Sequence, residues 1–158
     1  GQVPTRNRTT RARRDLIIPD VNLLIYATNS ASRVHVDARD WWRSALTGDE
    51  LVGIPWTSIL AFLRLSTGTS VYEQPLSMDA AVSIVETWLE SPNAFLINPG
   101  KRHVHALRVF TPTDSGGNII NDVHLAALAW EHGGTVYSVD RDFSRIPQVA
   151  WVNPLAEA

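Results

Sequence analysis

The chain contains no cysteine among its 158 residues, which excludes disulfides, thiolate metal sites and a cysteine nucleophile. That absence fits a reducing cytoplasm, the expected location. No apolar run approaches the ~18 residues of a membrane span and no signal-peptide pattern is visible, so no membrane partner is expected. No internal repeat is present. What the chain does have is 44% hydrophobic residues and six tryptophans, enough for one domain with a sizeable core.

A formal net charge of −2 conceals an asymmetry. Arg6, Arg8, Arg11, Arg13 and Arg14 are five of the 14 basic residues, and no acidic residue precedes Asp15. The remainder therefore carries nine basic against 16 acidic side chains, a net −7. Residues 1–14 read as a basic, flexible arm without apolar periodicity, able to track phosphates if it is functional. Residues 15–158 read as a single domain.

Within that domain, apolar runs of strand length alternate with stretches at helical spacing. Strands are predicted at Leu16–Ile18, Leu51–Ile54, Phe95–Ile97, Val136–Val139 and Val149–Val152. Helices are predicted at Leu23–Ala27, Val34–Leu46, Trp56–Thr67, from the cap Ser77 to Glu90, Lys101–Phe110 and Ile119–His132. Gly48, Gly68 and the Gly133-Gly134 pair supply stops. The alternation implies an α/β domain of three layers, with a mostly parallel sheet of about five strands between helices.

That topology gathers carboxylates. Asp20 and Asp140 each follow an apolar strand, so both lie at the carboxyl edge of a parallel sheet, where such sheets bind ligands. Asp122 lies in the first turn of the helix that feeds the Asp140 strand, and that helix starts at the same edge. Asp142 follows two residues behind Asp140. Taken singly, these aspartates could turn the chain or complement a helix dipole. Together they repel unless a cation neutralises them. Oxygen ligands without cysteine suit Mg²⁺ or Mn²⁺ rather than Zn²⁺, and such a site is the apparatus of phosphodiester hydrolysis. His103 and His105, two residues apart, fall on different helix faces and do not share a ligand role, and His124 is expected as an exposed helix histidine.

Four stretches carry a resemblance: Ile18-Pro19-Asp20-Val21-Asn22-Leu23-Leu24, Pro55-Trp56-Thr57-Ser58-Ile59-Leu60-Ala61-Phe62-Leu63-Arg64, Asn121-Asp122-Val123-His124-Leu125-Ala126-Ala127-Leu128-Ala129 and Ser138-Val139-Asp140-Arg141-Asp142-Phe143. In this order they resemble the PIN-domain family, and more closely the VapC-type toxins of type II toxin–antitoxin systems. The resemblance covers residues 16 to about 155 and leaves out the arm.

It implies a Mg²⁺- or Mn²⁺-dependent endoribonuclease that cleaves structured RNA such as tRNA or ribosomal RNA. A cognate VapB-type antitoxin would restrain it, and a homodimer is expected. Asp20, Asp122 and Asp140 match the family's metal-binding aspartates, with Asp142 as a further catalytic carboxylate. Asn22, Thr57 and Ser58 would support the site. The chain departs from the pattern at one position. Many members carry a glutamate three residues before the arginine of the middle helix, and here that residue is Ala61.

This departure motivates an alternative of another class, a non-catalytic PIN-like module that binds RNA or protein. A haloacid-dehalogenase-type phosphotransferase is set aside, because its second aspartate would fall at Asn22. Trp41, Trp42 and Trp56 are candidates for the apolar part of an antitoxin or homodimer contact.

Overall fold

The computed structural model describes residues 15–155, so the basic arm of residues 1–14 lies outside the described part. The elements run in the order β1 (Leu16–Pro19), α1 (Val21–Thr28), α2 (His35–Thr47), β2 (Leu51–Pro55), α3 (Trp56–Ser66), α4 (Met78–Leu89), β3 (Ala94–Ile97), α5 (His103–Phe110), α6 (Ile120–His132), β4 (Thr135–Tyr137) and β5 (Trp151–Val152). All pairings among the five strands are parallel, in the spatial order β3-β2-β1-β4-β5. The expected mostly parallel sheet is therefore wholly parallel.

Strand β1 is the centre of this sheet, and its side chains show why. Successive residues of a strand point to opposite faces. Leu16 and Ile18 enter one core with residues of α5 and α6, among them Ala106, Phe110, Val123 and Ala127. Ile17 enters the other, with Leu24 of α1, Ala38 and Trp42 of α2, Phe62 of α3 and Trp88 of α4. A strand buried on both faces must be apolar throughout, and all four residues of β1 are buried. The three layers follow from that alternation. Gly134 lets the start of β4 approach β1, since a Cβ there would stand 3.0 Å from the Leu16 and Ile18 side chains. Gly133 ends α6 in the left-handed conformation, with φ of 67°.

Strand order reverses beside β1. The chain moves outward through β2 and β3 on one side, then returns to place β4 and β5 on the other. Between β1 and β4, crossover connections leave toward opposite faces, and a crevice opens at the carboxyl ends of the two strands. The Asp20 amide still donates to the Tyr137 carbonyl at 2.9 Å, so these strands stay paired to the rim of the crevice.

Several element ends differ from the sequence expectation. Helix α1 begins directly at Val21, because the Asp20 carboxylate caps it and accepts the Val21 amide. Strand β4 stops at Tyr137 rather than Val139, although the Ser138 amide still donates to the Val152 carbonyl of β5. Asp140 then caps a 3-10 turn over Arg141–Arg145 and turns the chain away. Helix α5 starts at His103, two residues later than its basic lead-in suggests.

The tryptophans also divide differently. Trp42 is buried, packed edge-on to Trp88 at 5.6 Å between ring centroids, so it is core and not a contact surface. Its helix turns the apolar face inward, which a count of aromatics does not reveal. Trp41 is half-buried and stacks on Tyr137, whereas Trp56 is exposed. Among the described residues, no helix is long and apolar enough to cross a membrane.

Candidate active site

Four aspartates reach the crevice from three parts of the chain. Asp20 arrives on the end of β1, Asp122 on the first turn of α6, and Asp140 and Asp142 on the turn after β4. Asp122, Asp140 and Asp142 each offer a carboxylate oxygen, and these oxygens all lie within 4.8 Å of one another. Asp20 stands outside this tight group but close enough to raise the proton affinity of Asp122 by its charge. The structure thus brings together the carboxylates read from the sequence, with Asp142 nearer the centre and Asp20 nearer the margin than their expected roles suggest.

One buried hydroxyl holds the arrangement. Ser138 Oγ donates to Asp20 Oδ2 at 2.7 Å and accepts from Asn22 Nδ2 and from the Asp140 amide, both at 3.0 Å. One donor and two acceptor positions are all that a hydroxyl has, and each is used. Ser138 therefore ties the end of β1, the start of α1 and the turn after β4 into one unit. Sequence reasoning assigns it no role. The available signal is a small polar residue two positions before Asp140, at a strand end that topology buries.

The bland roles of these aspartates coexist with the cluster. Asp20 Oδ1 accepts the Val21 amide at 2.8 Å, and Asp140 Oδ1 accepts the Asp142 amide at 2.9 Å. Asp122 differs, because no N–H or hydroxyl of a described residue donates to its carboxylate. It is half-buried in α6, facing three other carboxylates. Desolvation, the charges of Asp140, Asp20 and Asp142, and a proton held against the Asp140 carboxylate push its pKa up to about 7. Burial also raises Asp20, against the lowering effect of the Ser138 and Val21 hydrogen bonds. A donor set made wholly of carboxylate oxygens, one of them without such a protein donor, fits a hard divalent cation.

Beside Asp20 opens a cleft of about 330 Å³, whose wall includes Thr57, Ala61 and Arg64 of α3 and Asn121 of α6. Ala61 thus faces the cleft beside Asp20, and its methyl group leaves space where a longer side chain would project. Thr57 is exposed on the cleft wall. Ser58, also on that wall, is buried and donates to the Pro19 carbonyl at 2.9 Å, fastening α3 to β1. Asn22 supports Asp20 and Ser138 through its amide nitrogen, while its buried Oδ1 has no partner among the described residues.

The histidines behave differently from expectation. His124 is not an exposed helix histidine. It is half-buried, and its Nδ1 lies 2.7 Å from Nε2 of buried His103. His103 Nδ1 meets Glu131, whose other oxygen accepts the Gly100 amide at 2.8 Å. This chain pins α5 across α6. Its residues lie 21 and 28 positions apart, too far for a spacing argument to connect. His105, on the other face of α5, is exposed, as its spacing from His103 predicts.

The crowding has a consequence for stability in the absence of metal. The folded-state pKa of Asp122 lies near 7, above its ordinary value of 3.8. The proton on Asp122 therefore stabilises the fold fully below about pH 4, and that contribution is lost as the pH rises through about 7. His124, lowered by burial, acts in the opposite sense over part of that range. The difference between parent and Asp122→Asn isolates the carboxylate. In EDTA, the melting temperature of the parent should fall relative to the variant between about pH 4 and pH 7, and parallel curves would show that Asp122 is not crowded.

Comparison with known proteins adds independent findings. The PIN domain family model matches residues 17–149. Ribonuclease VapC37 of Mycobacterium tuberculosis (strain ATCC 25618 / H37Rv) is 43% identical over 140 residues, which is 88% of this chain and 97% of that protein. Ribonuclease VapC33 of M. tuberculosis (strain CDC 1551 / Oshkosh) is 34% identical over 143 residues, 90% of this chain and all of that protein. Among solved structures, VapBC-1 from nontypeable Haemophilus influenzae superposes with a TM-score of 0.60 at 15% identity, over 89% of this chain and 99% of that one. VapBC2 from Rickettsia felis, bound to a DNA fragment from its promoter, superposes with a TM-score of 0.59 at 12% identity, over 87% and 98%. At such identities the structural likeness shows the shared fold.

Proposed function

This chain belongs to the PIN-domain family, alongside the VapC ribonucleases it resembles, and on that premise we propose that it is the ribonuclease toxin of a toxin–antitoxin pair, hydrolysing RNA phosphodiesters with a divalent metal. The observation that carries this reading is the half-buried Asp122 carboxylate, without an N–H or hydroxyl donor among the described residues and within reach of Asp140 and Asp142. A scaffold aspartate does not need such company. The names of its relatives supply the substrate class, RNA.

Asp122, Asp140 and Asp142 would hold a Mg²⁺ or Mn²⁺ ion between them, with Asp20 completing the site from β1. When bound, such an ion neutralises the scissile phosphate and makes an attacking water more acidic. The chain's own residues do the rest. Ser138 fixes the Asp20 carboxylate and the Asp140 turn, so neither must reorganise when substrate arrives. Arg64, exposed on the cleft wall, is placed to take a phosphate oxygen of the RNA, since a guanidinium matches that geometry. Asn121 offers a neutral donor at the same opening.

An antitoxin fits the same electrostatics. Solved neighbours of this fold are VapBC complexes. A small VapB-type partner that inserts an arginine near Asp20 and Asp122 would replace the cation by a guanidinium and block the site. A structured RNA of the tRNA or ribosomal class is the substrate we favour, and a homodimer the working assembly.

Cleavage of an RNA panel tests the proposal. The purified protein should cut RNA in Mg²⁺ or Mn²⁺ and stop in excess EDTA. Asp122→Asn should lose activity by about 100-fold or more, the scale of removing a group that stabilises transition-state charge. Undiminished cleavage in EDTA would support another mechanism, and RNA binding without any cleavage would favour the non-catalytic module. A second test uses the space at Ala61. Ala61→Glu should tighten Mn²⁺ binding by calorimetry, because it adds a carboxylate on the wall beside Asp20. Unchanged affinity would place that side chain too far from the cluster.

A further inference from the structure

Around the start of α5 and the end of α6, the acidic chain presents a cationic surface. No acidic residue lies between Glu90 and Asp114, and that stretch contributes Lys101, Arg102 and Arg108. Helix α5 buries His103, Ala106 and Phe110 against its neighbours. Lys101, Arg102, His105 and Arg108 are left exposed. Among the described residues, Arg39 with Asp40 is the one pairing of a lysine or arginine with a carboxylate, so none is made by Lys101, Arg102 or Arg108.

Two of these cations border a cleft of about 260 Å³ lined by Gly100, Lys101, Arg102, Trp130 and Glu131. Trp130 is 45% exposed, although one side of its indole rests against Phe110, with ring centroids 6.2 Å apart. The Arg102 guanidinium lies over the indole at 4.9 Å from its centroid. Glu131 is the one acid in the cleft, and it is already engaged by the Gly100 amide and His103. Its charge is thereby directed inward, and Lys101 and Arg102 stay available to an outside anion.

Cations without a carboxylate partner beside a part-exposed indole, over which the Arg102 guanidinium lies, match an unstacked nucleotide, whose phosphate and base need those two kinds of partner. An acidic peptide would match the cations but has no use for the indole. Trp130 follows Asp122 by eight residues of α6, about 12 Å along the helix axis at ~1.5 Å per residue. A strand a few nucleotides long therefore spans both places.

We propose that the Lys101–Arg102–Trp130 cleft is a second RNA-binding site, which holds an unpaired nucleotide of the substrate away from the point of cleavage. Lys101 and Arg102 bind its phosphate, and its base packs against the exposed part of Trp130. The site thus contributes to which RNA is held and in what register. This inference rests on the ribonuclease reading for its ligand, but its test does not require cleavage.

The test is binding of a fluorescent ten-nucleotide single-stranded RNA to the full chain in EDTA, read by anisotropy across a salt series. The variants are Lys101→Ala/Arg102→Ala, Trp130→Leu and Trp130→Phe. The double variant should bind more weakly and show a salt slope shallower by about 0.7 for each phosphate that is no longer neutralised. The residue 1–14 arm is present in every protein, so its contribution cancels in the comparison. Trp130→Leu should bind about fivefold or more weakly with the slope unchanged, and Trp130→Phe should recover most of the affinity. Circular dichroism melting of each variant separates loss of fold from loss of binding, and Lys101→Ala alone, at an exposed position, supplies a variant with no packing role.

Equal affinity and slope in the parent and the double variant would overturn the proposal, as would failure of the parent to bind this RNA. So would an acidic oligopeptide of matched charge that binds as tightly and is weakened as much by Trp130→Leu. Absence of RNA cleavage in Mg²⁺ together with the expected binding pattern would instead refute the nuclease reading and leave this site standing.

Discussion

Mutual repulsion among carboxylates at one sheet edge is the constraint on which the rest of the structure depends. Four aspartates meet where β1 and β4 diverge, and one of them is pushed to a pKa of about 7 by burial and by its neighbours. Like charges so placed oppose folding unless a cation joins them. The fold tolerates the arrangement because the surrounding elements are fixed independently. Strand β1 is buried on both faces, α6 is clamped under α5 by the His124–His103–Glu131 chain, and the Asp140 turn is fastened to Asp20 through Ser138. Carboxylates held together without a counter-ion need such a frame.

Much of that frame is legible in the sequence, for a physical reason. A parallel sheet imposes period-two burial on strands and a helical period on crossovers, so alternating apolar runs announce the topology. Once strands are parallel, Asp20, Asp122 and Asp140 are bound to one edge, however far apart they lie in the chain. What stays hidden depends on tertiary partners. Ser138 gains its role only when Asn22 and Asp20 arrive from 116 and 118 residues away. His124 looks like a surface histidine until α5 crosses α6. Trp42 reads as an interface candidate until Trp88 and Phe62 enclose it. Which aspartates lie closest together is equally invisible, because Asp142 approaches Asp122 only through the 3-10 turn that Asp140 caps.

Charge is divided in space as well as along the chain. The crevice concentrates negative charge, while α5 and its lead-in present cations with no described acidic partner. Arg64 stands between these roles, a cation on the wall of the cleft beside Asp20. A polyanion that avoids the bare carboxylates yet is drawn to their metal-bound form would meet favourable potential along this path. The same division explains how an arginine-bearing partner would compete with metal for the crevice.

Whether the clustered aspartates are a cation site or scaffold is decided best at Asp122, which caps nothing and accepts no hydrogen bond from an N–H or hydroxyl of a described residue. The measurement is thermal unfolding of the parent and of Asp122→Asn above about pH 7, where Asp122 is ionised in the fold, each in EDTA and in Mg²⁺. For a cation site, the variant melts at or above the parent in EDTA, since replacing one of several close like charges relieves repulsion of ~1 kcal/mol. Mg²⁺ then raises the melting temperature of the parent more than that of the variant, because a ligand bound only to the native state stabilises it by mass action. A variant that melts lower in EDTA and retains the parent's full response to Mg²⁺ would contradict this and return Asp122 to the scaffold.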